Sequence, residues 1–412
     1  MIKAEENKNI STFEMIINDP YTNIESLKSF LTSKDEETSL SVAKIFANIV
    51  PLYKIKTNNN KVKQKIGHQS TVSDYDKKLL EFYTVFLKNV LNNKNDDFTY
   101  KIAAYLLDEL DHFNFNDRLV SKVLEGCKNN NIICQNVITK RIENDTNGEI
   151  LFFILDKSLD MGFNKIITEA LLKSRFLNKC VEIRIAKENK YAKEEKKKVK
   201  ERRNLFDNRN LKGREKKREK ERYKKQKEVK AEIDEEMEGV DHKVYVKCVN
   251  ALQRFYFTIL KNKEVNCVGA TCSGLRKYFK IIRKEFHEGI MFMLYDNVNL
   301  EHTNNTLNII RTVFIIFKDA GIDFNKLIDV LYEIIDVYME NKRFKELLDD
   351  VLLKNTQSYS IALKFYKKLL VIRILHYSTW VDEIIHRISI KYDINYKDEM
   401  IFEYIPYHKL IK

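Results

Sequence analysis

The side chains best suited to do chemistry in this sequence are the lysines and arginines of one central segment. Between Lys187 and Lys230 the chain holds 21 Lys and Arg against 9 Asp and Glu, a net charge of +12, whereas all its other residues together carry a net charge of +1. A dense run of cations binds polyphosphates because each neutralised phosphate releases counterions. The segment therefore predicts a nucleic-acid contact, and RNA is favoured over DNA because no DNA-recognition module accompanies it.

Sixteen cations of this segment are the candidate RNA-binding residues: Lys196, Lys197, Lys198, Lys200, Arg202, Arg203, Arg209, Lys212, Arg214, Lys216, Lys217, Arg218, Lys220, Arg222, Lys224 and Lys225. Glu alternates with these cations at spacings near four, which favours a long exposed helix. Two other interpretations stay open: a solvated helical spacer, and nuclear localisation signals at Lys196–Arg203 or Arg214–Lys225. A helix lying on a membrane surface needs an apolar face, which the segment lacks.

Other residue types that carry chemistry lack the spacing for it. No two of the six cysteines are spaced C-x-x-C, and the eight histidines form no H-E-x-x-H or other metal-binding pattern. Nucleophile-elbow, Walker-type and kinase strings do not occur. We therefore predict that the protein is not an enzyme and uses no metal, no cofactor and no small-molecule substrate. The cysteines are expected to be small buried hydrophobes.

The elements that must position the basic segment are helices. The chain has only 10 Gly and 3 Pro, fewer than sandwiches, barrels or doubly wound sheets need for their turns. From Ser39 onward apolar residues recur at spacings of three and four, and Asn and Asp mark the breaks. The predicted fold is all-α: an irregular, HEAT-like α-solenoid in two helical domains joined by a long charged helix.

Four segments follow from these patterns. Residues 1–38 form a polar N-terminal segment with short helices, 39–186 an N-terminal helical-repeat domain, 187–240 the basic charged helix or linker, and 241–412 a C-terminal helical-repeat domain. No signal peptide starts at Met1 and no apolar run reaches about 18 residues, which predicts a soluble intracellular protein without a membrane partner.

Two strings of the first repeat domain resemble elements of nucleolar complex-associated protein 3. Ile49–Lys56 resembles its I-V-P-x-Y-K/R-I-R element, and Leu110–Phe115 resembles its L-P-H-F-N-F element, with Asp111 in place of the usual proline. Pro51 is expected to stop a helix while Tyr53 packs back on it. In the second string the two phenylalanines would anchor a corner between helices and Asn114 would turn the chain. The motif residues are Pro51, Tyr53, His112, Phe113, Asn114 and Phe115.

Further strings follow in the order of that family. Tyr256–Asn262 is similar to Y-F-R-I-L-K-N, Gly274–Phe286 is similar to the G-L-A-K-F…L-I-N-x-x-F string, and Gly321–Asp323 echoes a later N-I-D element. The central cations resemble the family's basic segment. The family's long charged N-terminal extension does not appear, and neither do the prolines usual at positions matching residues 263–273. The chain is thus identified as a compact, N-terminally truncated eukaryotic member.

The resemblance implies a non-enzymatic scaffold of ribosome biogenesis in the nucleus and nucleolus. Such a protein would pair as a heterodimer with a partner like nucleolar complex protein 2. It would also accompany pre-ribosomal RNA and large-subunit assembly factors. Two alternatives stay open: a chromatin factor associated with replication origins, and a solenoid transport adaptor whose basic segment serves only as a targeting signal.

Overall fold

The structure is a computed structural model that describes residues 2–33, 35–55, 73–92, 97–186, 188–190, 241–317, 324–335, 342–354, 358–375 and 379–394. Every element in these residues is helical, so the all-α prediction is confirmed for this part of the chain. Residues 191–240, and with them the expected charged helix, lie outside it. The HEAT-like arrangement and the four segment limits stay predictions.

Two compact units make up the chain: Met1–Ile259 with Lys280–Ile282, and Leu260–Phe279 with Arg283–Lys412. The first unit contains α1 (Ile2–Asn18), α2 (Pro20–Asn23), α3 (Glu36–Ile49), α4 (Asp74–Asn92), α5 (Asp97–Glu109), α6 (Asn116–Lys128), α7 (Ile132–Asn144), α8 (Glu149–Met161), α9 (Lys165–Leu171) and most of α10 (His242–Lys261). A further helical run covers residues 175–186.

Short polar side chains start several of these helices. Asp35 caps α3, where one carboxylate oxygen accepts the amide hydrogen of Thr38 at 2.8 Å. Asn131 caps α7 through the amide of Cys134, and Asn164 caps α9 through the amide of Ile166. An Asp or Asn at this position satisfies one of the amides that the first turn leaves without a partner. The Asn and Asp breaks in the sequence thus mark helix starts.

Helices close in sequence pack together in the first unit. α6 packs against α5, α7 and α8, and α7 also contacts α5 and α9. Gly126 lets α6 approach α7 closely, because a Cβ there would lie 2.4 Å from the Cys134 Sγ. The core between these helices is apolar, with Leu107, Leu119 and Leu151 fully buried.

The second unit contains α11 (Val265–Tyr278), α12 (His287–Asp296), α13 (Thr303–Phe317), α14 (Asn325–Ile334), α15 (Lys342–Leu348), a π-helical stretch at Asp349–Lys354, α16 (Tyr359–Leu375) and α17 (Thr379–Tyr392). α13 packs against α11, α12, α14 and α15, and α16 packs against α17. Arg276 links α11 to α13, because its guanidinium donates a hydrogen bond to the Thr312 hydroxyl at 2.7 Å. Of the helices the structure describes, none is both long and apolar enough to span a bilayer.

All six cysteines are buried and form no disulfide: Cys127, Cys134, Cys180, Cys248, Cys267 and Cys272. Burial raises the pKa of the Cys127 and Cys134 thiols to about 12. Thiols of this kind are inert because the reactive species is the thiolate. The prediction that the cysteines pack as small hydrophobes is confirmed.

Candidate functional site

The sixteen candidate RNA-binding cations between Lys196 and Lys225 lie outside the described residues. Their contact with RNA stays a prediction. The other candidate residues, in the two family-like strings, are described, and the structure brings the two strings together in the first unit.

Ile55 of the first string and Asn114 of the second join through a pair of hydrogen bonds. The Ile55 amide donates to the Asn114 Oδ1 at 3.0 Å, and the Asn114 Nδ2 donates to the Ile55 carbonyl at 3.0 Å. The two residues are 59 positions apart in the chain. The side-chain amide thus pairs with the backbone N–H and C=O of one residue, as a residue of a neighbouring strand would.

The first string is extended because Pro51 ends α3. Val50 lies in the extended region, with φ −72° and ψ 132°, as a residue before proline prefers. The expected helix stop is therefore present. Tyr53, expected to pack back, is instead 57% exposed, and its hydroxyl lies 3.3 Å from the Asp76 carboxylate at the start of α4. Leu52 beside it is 87% exposed.

The second string forms the corner between α5 and α6. Phe113 is fully buried, with its ring edge against the Tyr83 ring at 5.3 Å between centroids. Phe115, rather than Asn114, has the left-handed backbone, with φ 68°. Asn114 lies within the turn, and its role in turning the chain stays a prediction. Its side chain holds Ile55, while Arg118 lies 5.0 Å above the ring of Phe115 and helps to fix the strained residue.

A cleft of about 530 Å³ opens where these strings meet. Its lining comes from four stretches: the extended first string, the start of the corner, the end of α7 with the loop to α8, and the start of α10. The lining residues are Leu52, Tyr53, Lys54, Asp111, His112, Arg141, Asn144, Asp145, Thr146, Asn147, Glu149, Ile150, Asp241 and Val244.

Arg141 of α7 forms ion pairs with residues at and next to the corner between α5 and α6. Its side chain is 14% exposed, and its guanidinium pairs with the carboxylates of Asp108, at 2.6 Å, and Asp111. Burial alone would raise the pKa of Asp108, but hydrogen bonds from Lys140 and Arg141 outweigh it and hold that pKa below its usual value. A planar guanidinium bonded to two carboxylates fixes geometry as well as charge. Asp111 is thereby fixed beside His112.

The loop before α8 is fixed by Asp145. Its carboxylate accepts the amide hydrogens of Asn147, Gly148 and Leu151 at 2.7 to 2.9 Å. Burial raises the pKa of this carboxyl group even though these three bonds favour its charged form. Gly148 has φ 81°, and its carbonyl accepts a hydrogen bond from the Cys248 thiol of α10. The cleft wall is therefore rigid on this side.

The cleft has the opposite charge balance to the chain. Four carboxylates line it against Lys54 and Arg141, a balance of −2 with His112 neutral, whereas the whole chain carries +13. Glu149 pairs with Lys54 across the cleft, with both side chains about half exposed. No cluster of His, Cys, Asp and Glu able to hold a metal occurs in the described ranges. The arrangement suits binding of a donor-rich, cationic group.

Sequence reasoning missed the residues of α7, the following loop and α10 that complete the cleft. The Asp145–Gly148 stretch before an apolar run is a recognisable helix start. Nothing in that local pattern shows that it faces the Ile49–Lys56 string, because that juxtaposition depends on how the helices around the cleft pack.

Comparison with known protein families finds a match in the N-terminal part of the chain. Residues 5–86 match the family model described as nucleolar complex-associated protein. No curated protein matches the chain. The matched range includes the Ile49–Lys56 string and ends within α4, before the corner string. Over residues 5–86 the chain is thus similar to nucleolar complex-associated proteins, the family that the sequence strings resemble.

Proposed function

We propose that this chain is a non-enzymatic scaffold of nucleolar ribosome assembly. It binds precursor RNA of the large subunit through the Lys187–Lys230 segment and a partner protein through its helical surfaces. The observation that supports this proposal best is the concentration of charge. A net charge of +12 lies in this one segment, whereas the whole chain carries +13. The family match over residues 5–86 supports the nucleolar setting.

The distribution of charge explains why the basic segment would bind RNA and the rest of the chain a protein. Counterion release makes a polycation bind RNA without a preformed pocket. The rest of the chain is almost neutral overall, with a net charge of +1, so RNA has little reason to bind it and a protein partner has more. In this proposal the partner is a protein like nucleolar complex protein 2, and the complex resides in the nucleus and nucleolus.

The RNA contact is tested by reversing three adjacent cations. Lys196, Lys197 and Lys198 are changed to Glu, and binding to a fragment of large-subunit precursor RNA is measured by filter retention across a salt series. Losing three phosphate contacts reduces the slope of log affinity against log salt by about 2 and weakens binding by roughly 100-fold at about 0.1 M salt. Near 1 M salt the two proteins should bind almost equally.

The matched control reverses the same number of charges elsewhere. Lys88, Lys101 and Lys128 are exposed on α4, α5 and α6, and changing them to Glu alters the net charge equally. The control should bind as the unchanged protein does. Equal loss in both variants would show that only total charge matters, and no loss in the first would contradict the proposal. Stronger binding to duplex DNA than to the RNA at the same salt would favour a chromatin factor.

A further inference from the structure

Leu52 is exposed to solvent on a loop whose neighbouring residues are hydrogen-bonded or ion-paired to the rest of the unit. Three consecutive residues after it are tied to different helices or turns: the Tyr53 hydroxyl to Asp76, the Lys54 ammonium to Glu149, and the Ile55 peptide to Asn114. Pro51 before it has a fixed φ. Leu52 nevertheless remains 87% exposed, so these attachments do not serve to bury it.

An apolar side chain fixed in this way has the properties of a binding anchor. Its burial against a partner is favourable by an amount that corresponds to about 10- to 100-fold in affinity. The loop loses little conformational freedom on binding because it is already ordered. The half-exposed ring of Tyr53 extends the apolar surface next to Leu52.

The cleft beside this anchor selects for positive charge. Asp241 is exposed, and its carboxylate accepts only a local amide hydrogen, that of Lys243 at 2.8 Å, among the contacts described. Asp111 and Glu149 are each partly exposed and have partners on one side. The side chains of Asn144, Thr146 and Asn147 add donors and acceptors suited to a peptide backbone.

We propose that this cleft binds a short extended segment of a partner protein, in which Lys or Arg alternates with apolar residues. The basic side chains face Asp111, Glu149 and Asp241, and an apolar residue packs on Leu52. A volume of about 530 Å³ accommodates only a few residues of such a segment. RNA is the wrong occupant because the lining is negative. The proposal refines the partner-protein part of the proposed function and rests on it for the partner's setting.

The test measures binding of two labelled peptides to the full chain by fluorescence anisotropy. Arg-Leu-Arg-Leu-Arg should bind, and Glu-Leu-Glu-Leu-Glu should not. Changing Leu52→Asp should weaken binding of the first peptide by about tenfold or more, since the anchor is lost. Changing Asp241→Lys should weaken it and also make it less dependent on salt.

Two control variants match these changes outside the cleft. Ile132→Asp alters an apolar residue that is 70% exposed on α7, and Asp160→Lys alters an exposed carboxylate on α8. Both should leave peptide affinity within about twofold of the unchanged protein. Equal losses in cleft and control variants, or equal binding of the two peptides, would overturn the proposal.

The result of the peptide experiment can be distinguished from the result of the RNA experiment by comparing variants in both assays. The variant with Lys196, Lys197 and Lys198 changed to Glu should keep its affinity for the basic peptide, and Leu52→Asp should keep its affinity for RNA. Loss of RNA binding in Leu52→Asp and Asp241→Lys, with peptide binding unchanged, would make the cleft a nucleic-acid site and contradict the proposal.

Discussion

The Asn114 side chain hydrogen-bonds to the backbone of Ile55 as a neighbouring strand would in a sheet. Its amide supplies both an acceptor and a donor to the Ile55 peptide, which is otherwise the end of an extended segment without a strand partner in the described residues. A buried peptide unit without such partners costs free energy. This single side chain therefore connects the two family-like strings and fixes one edge of the cleft.

Replacing Asn114 by Ala should release the first string without unfolding the unit. The Ile55 amide and carbonyl lose their partners, at a cost of about 1–3 kcal/mol. Hydrogen–deuterium exchange should then speed up at residues 52–55 while amides of α5 and α6 exchange as before. The control is Asn48→Ala, since the exposed Asn48 side chain donates to the Lys44 carbonyl one turn earlier within α3. Unchanged exchange at Ile55 would contradict this role.

Residue roles were only partly predictable from the sequence. Pro51 as a helix stop follows from local chemistry, and the structure agrees. The burial of Phe113 follows from its type and place at a corner. The requirement for the Asn114 side chain at Ile55, 59 positions away, could not be predicted, because no local pattern shows that contact. Such a requirement arises only from tertiary packing.

At the scale of elements, the start of α8 shows how a turn and a ring depend on each other. Gly148 adopts φ 81°, and a Cβ there would lie 2.5 Å from the Phe176 ring. Phe176 is fully buried and cannot move away easily. A glycine is thus required at position 148 both by the positive φ and by the Phe176 ring. Gly148 belongs to the loop that forms the cleft wall.

A double-mutant cycle separates these two requirements. Gly148→Ala should destabilise α8 by about 2–5 kcal/mol, from left-handed strain and from the clash with the ring. Adding Phe176→Leu removes the ring, so the double variant should lose about 1–3 kcal/mol less than the sum of the single losses. The quantity measured is the opening free energy of α8 amides by hydrogen exchange.

Gly162 provides the control pair for that cycle. It also has a positive φ, 102°, but a Cβ there would meet nothing within 4 Å. Gly162→Ala and Phe176→Leu should therefore add to within about 0.5 kcal/mol. Coupling of similar size in both pairs would show that the Phe176 contact does not explain the choice of Gly148.

Helix positions were the most predictable part of the fold. The apolar spacing after Ser39 predicts helices in this region, and α6 (Asn116–Lys128) and α7 (Ile132–Asn144) are found there. Apolar periodicity and Asn or Asp caps set these limits locally. The packing of α6 against α8, and the cleft that results, depend on contacts between helices that periodicity does not specify.

At the scale of the whole molecule, the dominant feature is the concentration of positive charge in one segment of the sequence. The basic excess lies almost entirely in one segment, and the described cleft is negative. In the proposed function, this division lets RNA and a basic protein segment bind without competing for one surface. This division distinguishes a scaffold from a protein that is cationic over its whole surface.

The most direct test of the scaffold role is the identity of the RNA and proteins that purify with the full chain from its own cells. After ultraviolet crosslinking, the tagged protein should recover precursors of the large-subunit ribosomal RNA, together with large-subunit assembly factors. The variant with Lys196, Lys197 and Lys198 changed to Glu should recover far less of that RNA. Recovery of no ribosomal precursor above the level of an unrelated tagged protein of similar charge would contradict the role in ribosome assembly.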